Sequence, residues 1–146
     1  MIIRNAIKTP DGTIIESKHR HDYVSHLDAN GETYVVDGGK DYFRGSINNI
    51  PATNLRLSTE DNSIEEIREV FKWGSNGVNG DQPTTYTLLK DLSDDHLESI
   101  IDFLTPCTYN FRNEKVKRLM AEELIYREYM KEIVGDGADS SIDHVA

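Results

Sequence analysis

Turn signals recur so closely in the first forty residues that the segment reads as a β meander. In Thr9-Pro10-Asp11-Gly12 a proline presets φ and a glycine accepts positive φ. The apolar-rich run 2–8 precedes this turn, and 13–17 is its return strand. A further run, 23–27, leads into Asp28-Ala29-Asn30-Gly31, where Asn-Gly is a hairpin signal because both residues tolerate positive φ. The next strand, 32–36, is closed by Asp37-Gly38-Gly39, and residues 54–58 alternate as a short strand does.

Helical patterns follow. Ser63 and Glu66 have the spacing of a capping box, and Ile64, Ile67, Val70 and Phe71 make one apolar stripe, so a helix is expected from Ser63 to about Trp73. Residues 74–83 carry three glycines and a proline and exclude a helix or a central strand, after which 84–89 returns to β character. Ser93 can cap a second helix, with Asp94 and Asp95 near its positive end. Leu97, Ile100, Ile101 and Leu104 form its buried face, and Pro106 ends it. A third and longer helix is expected from about Asn113 to Val134, with Val116, Leu119, Met120, Leu124, Met130 and Ile133 on its apolar side and Gly135 as its stop. The fold class is therefore α+β, an N-terminal antiparallel sheet followed by two to three helices, one of them long. One domain over 1–134 and a polar, mobile tail over 135–146 are expected.

The net charge of −10 narrows the partners. Residues 1–59 are neutral, with seven basic and seven acidic side chains, so residues 60–146 carry the whole excess. Such a balance argues against long nucleic acid and against an anionic membrane surface. No apolar run reaches the length of a membrane span. The start of the chain lacks the pattern of a signal peptide, and Cys107 is a lone cysteine, so a reducing cytoplasm is expected. Within the acidic half, residues 105–118 reverse sign: Arg112, Lys115, Lys117 and Arg118 stand against Glu114. Such an island can receive a small anion, or its side chains can simply pair along a helix in water.

Two constellations carry candidate chemistry. The first is His19-Arg20-His21-Asp22-Tyr23, with His26 nearby. On a strand His19 and His21 would face the same way. As metal ligands they need a third partner, such as His26, Asp22 or a distant acid, and no second motif supplies one, so no metal is expected. Acid–base work by a histidine, simple hydrogen bonding to neighbouring chain, and ligand contact through Arg20 and His21 are the other uses. The second is Phe71-Lys72-Trp73-Gly74-Ser75-Asn76-Gly77-Val78-Asn79-Gly80, followed by Asp81-Gln82-Pro83. Glycines let loop amides approach a ligand and form an anion nest, while Asn76 and Asn79 offer both donor and acceptor. The lysine of a phosphate-binding P-loop is absent. Phe71 lies on the apolar stripe and serves equally as a core residue or a stacking surface, whereas a lone indole at Trp73 and the amide of Asn79 beside a polar loop favour ligand contact.

The order of these pieces resembles the Thoeris anti-defence sponge family of bacteriophages (first type). The resemblance rests on Ile-Lys-Thr-Pro-Asp-Gly-Thr-Ile, His-Arg-His-Asp-Tyr, Val-Asp-Gly-Gly, the aromatic–glycine loop ending in Asp-Gln-Pro, and Leu-Ser-Asp-Asp-His-Leu, and covers residues 2–130. It implies an α+β protein that forms a homodimer or higher homo-oligomer in the cytoplasm of the infected bacterial host cell. It further implies binding of glycocyclic ADP-ribose without cleavage, no cofactor, and a silent downstream effector. Some members also hold cyclic oligonucleotides. Under that reading Phe71 or Trp73 stacks on the base, Asn76 can read a base edge, Asn79 and the Gly74–Gly80 amides hold sugar or phosphate, His21 offers an imidazole face, and Arg20, Arg112, Lys115 or Arg118 meets the pyrophosphate. Two rival functions remain open: a small hydrolase built on His19 and His21, and an acidic protein that blocks a host defence protein.

Overall fold

In a computed structural model the backbone is described for residues 1–145 and side chains as far as Val134. The residues expected to make one domain over 1–134 group into two compact units, Met1–Phe71 and Lys72–Ala146. The α+β class holds: short antiparallel strands fill the first unit, and helices dominate the second.

The first unit contains β1 (Ile2–Arg4), β2 (Ala6–Lys8), β3 (Ile14–Glu16), β4 (Val24–Leu27), β5 (Thr33–Asp37), β6 (Arg44–Gly45), β7 (Thr53–Asn54), β8 (Leu57–Ser58) and the single-turn helix α1 (Ile64–Ile67). Its strands pair in three small sheets, ordered β1-β8, β3-β2-β7 and β4-β5-β6. Ile7, Ile15, Tyr34 and Val36 form the core, with Val24 and Ala52 packed against it.

The run 2–8 is broken into two strands at Asn5, which is fully buried. Its Nδ2 donates to the carbonyls of Asp37, Gly39 and Tyr42 at 2.9, 3.0 and 3.1 Å. The amide thus substitutes for a strand partner and fixes the chain after β5. Gly39 adopts φ +54°, and a Cβ there would lie 2.1 Å from the carbonyl carbon of His19, so only glycine fits. The β4–β5 hairpin uses positive φ at Gly31 alone, with Asn30 on the ordinary side. Gly31 N donates to Asp28 O, and Asp28 N to Glu32 O, which makes a three-residue loop.

The expected helix from Ser63 to Trp73 is the largest correction. α1 stops at Ile67, and Lys72–Ser75 is strand β9. The Ser63 hydroxyl caps no amide and lies 3.5 Å from the Glu66 carboxylate. β9 pairs antiparallel with the next strand, β10 (Thr85–Leu88), across the glycine loop, so hairpin pairing overrides the local helical period.

In the second unit α2 (Asp94–Leu104) begins as expected, with Ser93 Oγ accepting from His96 N at 3.1 Å. Leu97, Ile100 and Leu104 are buried, whereas Ile101 is half-buried. α3 (Phe111–Val145) starts two residues before the expected Asn113, because Asn110 Oδ1 accepts from Arg112 N and Asn113 N. The backbone of α3 runs through the expected stop at Gly135, and the side chains of the expected mobile tail, 135–146, lie outside the described residues. Val116, Leu119 and Met120 are buried, but Leu124 is half-buried and Met130 and Ile133 are exposed.

The buried polar anchor of α3 is Glu123, fully buried and 2.7 Å from Arg127 Nε. Arg127 also reaches Asp94 Oδ1 at 2.8 Å and the carbonyls of Leu89 and Lys90 at 3.1 and 3.2 Å. One planar guanidinium thereby ties α3 to the start of α2 and to the 3-10 turn Leu89–Asp91.

Candidate ligand-binding site

A cleft of about 750 Å³ in the second unit is lined by β9, the loop that follows it, and one face of α2. This volume lies in the range of small-molecule sites. Trp73, Gly74, Asn76 and Asn79 all line it, so four of the nine expected site residues meet there. From α2 come Asp95, His96, Ser99, Ile100 and Phe103. Their spacing of one, four, five and eight puts them along one side of the helix.

β9 alternates as a two-faced strand, with Trp73 and Ser75 more buried than Lys72 and Gly74. Gly74 lies opposite Tyr86 in the register, and a Cβ at Gly74 would fall 2.9 Å from the Tyr86 ring. The missing side chain therefore makes room for an aromatic ring over the hairpin. Asn76 shapes the loop: its Oδ1 accepts from Thr84 Oγ1 at 2.7 Å and its carbonyl from Gln82 N at 2.9 Å. Gly77 and Gly80 take positive φ. Gly77 N donates to Ser75 Oγ and Gly80 N to Gly77 O, so two amides of the expected anion nest are engaged within the loop.

The remaining five expected residues lie elsewhere. Phe71 is a buried residue of the first unit and lines no part of this cleft. His19 and His21 sit in a turn, not on a strand, and both are exposed. Arg20, in the same turn, lies 3.7 Å from Asp41 at the surface. Arg112 is exposed in the first turn of α3, where Asn110 holds its amide. Arg118 pairs with Glu114 at 3.0 Å on the helix surface, as the helix-pairing reading of the basic island expects.

Chemically the cleft offers an indole and a phenyl ring for stacking, an amide at Asn79, an imidazole at His96, a hydroxyl at Ser99 and a carboxylate at Asp95. Among the described residues no lysine or arginine lines it. Phe103, His96 and Ser99 were not among the expected site residues. Their signal was available in the i, i+4 pairing of Ser99 with Phe103 on the side of α2 away from Leu97 and Leu104. Among the described residues no helix is long and apolar enough to cross a membrane. No protein-family model, curated protein or solved structure matches this chain.

Proposed function

We propose that the chain is a non-enzymatic binding protein that sequesters a cyclic ADP-ribose-type nucleotide in the cleft of its second unit. In this reading it acts in the cytoplasm of a phage-infected bacterium and keeps a Thoeris effector inactive. The observation that carries the reading is the meeting of Trp73, Gly74, Asn76 and Asn79 in one cleft with Phe103. The rings provide faces for adenine, and Asp95 and Asn79 suit ribose hydroxyls, which donate as well as accept. Among the described lining residues no lysine or arginine is placed to meet the pyrophosphate. The reading therefore assigns its counter-charge to basic side chains of a second copy in a homo-oligomer.

The purified protein is incubated with glycocyclic ADP-ribose and then heated. Recovery of the intact nucleotide supports sequestration, and conversion to a product refutes it. Trp73 is the sole tryptophan, so its fluorescence reports binding directly. Loss of base stacking, worth about 1–3 kcal/mol, makes Trp73→Ala roughly 5- to 150-fold weaker by calorimetry. Unchanged affinity in that variant places the ligand elsewhere.

A further inference from the structure

Two turns of the first unit meet at three side chains: Asp11 in the turn between β2 and β3, His26 on β4, and Asp28 in the loop after it. Asp11 N donates to Asp28 Oδ1 at 3.1 Å, and Ala29 N donates to Asp11 Oδ2 at 3.3 Å. His26 Nε2 lies 2.9 Å from Asp11 Oδ2 and 3.9 Å from Asp28 Oδ1. The Asp28 side chain is only 1% exposed, and its Oδ2 is buried with no hydrogen-bond partner. A buried carboxylate oxygen without a donor is a costly arrangement unless something positive satisfies it.

We propose that Asp11, His26 and Asp28 form a divalent-cation site, with zinc as the fitting ion. One atom from each residue lies within 4.8 Å of the others. Tetrahedral zinc with bonds of 2.0–2.1 Å sets its ligands about 3.3 Å apart, and the two measured separations from Nε2, 2.9 and 3.9 Å, bracket that value. One imidazole with two carboxylates makes a three-ligand set that leaves a fourth position for water. An all-oxygen set would favour calcium or magnesium, whereas the imidazole shifts the preference to zinc. Asp11 Oδ1 is held by Thr9 Oγ1 at 2.6 Å and Thr13 N at 3.1 Å, an outer layer that fixes the ligand's orientation. His26 and Asp11 keep 27% and 20% of their side-chain exposure, which gives the ion a path in. Bound there, the ion joins the β2–β3 turn to the β4–β5 hairpin and stabilises the folded first unit by mass action.

The site is independent of the cleft and is tested on the full chain without nucleotide. Protein stripped with chelator is titrated with zinc by calorimetry, while NMR follows the imidazole nitrogens. The expected result is one equivalent of zinc that shifts His26 Nε2 and leaves His19 and His21 unmoved. Affinity falls at least tenfold in His26→Gln and in Asp28→Asn. His26 is partly exposed, so His26→Gln decides the matter should the Asp28 variant unfold. Absence of binding, binding that leaves His26 unshifted, or equal affinity in a folded His26→Gln overturns the proposal.

Discussion

Asn5 is a position where one side chain holds a whole turn, and its removal has a calculable cost. Its Nδ2 faces three carbonyls, while its Oδ1 is buried without a partner. The residue is held for its NH₂ group, since the flipped amide would set an oxygen against three oxygens. Two hydrogens serve three acceptors, so two to three hydrogen bonds are at stake. At about 1 kcal/mol net each, Asn5→Ala costs roughly 3 kcal/mol. In a unit of 71 residues that lowers the thermal midpoint by roughly 12 °C or more. Asn5→Asp keeps the shape but brings no donor and adds a buried charge, so its loss must exceed that of alanine. Urea unfolding followed by far-UV circular dichroism measures both. An aspartate variant as stable as the parent, or an alanine loss below about 1 kcal/mol, refutes the reasoning.

In the second unit, Arg127→Met removes the guanidinium shared by buried Glu123, Asp94 and two carbonyls. The expected loss is about 3 kcal/mol, read from the urea midpoint of Trp73 fluorescence. The hydrogen bond from Arg127 holds the Asp94 carboxyl below its ordinary value of 3.8, against the opposing pull of desolvation. A lowered carboxyl stabilises the fold fully above its unfolded value, and that stability disappears as the pH falls through the folded one. Thermal midpoints of Asp94→Asn should therefore converge with the parent as the pH drops below 3.8, and a constant gap down to pH 2 contradicts the pairing.

The turns of the first unit were legible because glycine at Gly12, Gly31, Gly38 and Gly39 signals positive φ directly, and all four adopt it. The α2 cap was legible for a similar local reason, since Ser93 needs only its own first turn. Asn5 was not legible: an asparagine inside an apolar run gives no sign that three carbonyls more than thirty residues away will claim it. The stretch after Ser63 misled because its apolar spacing fits a helix, yet Lys72–Ser75 gains a full set of partners in Thr85–Leu88. Glu123 and Arg127 have the i, i+4 spacing of an ordinary surface pair, and only packing against the start of α2 makes Glu123 interior.

The candidate site was half legible for the same reason. A glycine loop beside an aromatic is a local pattern, and it located Trp73, Gly74, Asn76 and Asn79. The α2 face that completes the cleft is a tertiary fact, and the cations chosen by charge alone, Arg112 and Arg118, lie outside it. That separation has an electrostatic consequence. Residues 72–146 carry eight basic and fourteen acidic side chains, so a dianion entering a single copy meets net repulsion. Salt weakens whichever sign of interaction dominates, with a screening length of about 8 Å at physiological ionic strength. If one copy binds the nucleotide alone, added salt leaves the affinity unchanged or strengthens it. If the counter-charge comes from a second copy, added salt weakens binding and dilution below the oligomer's dissociation constant abolishes it. The proposed sponge requires the second pattern, and the sign of the salt dependence separates it from simple stacking in an uncharged cleft.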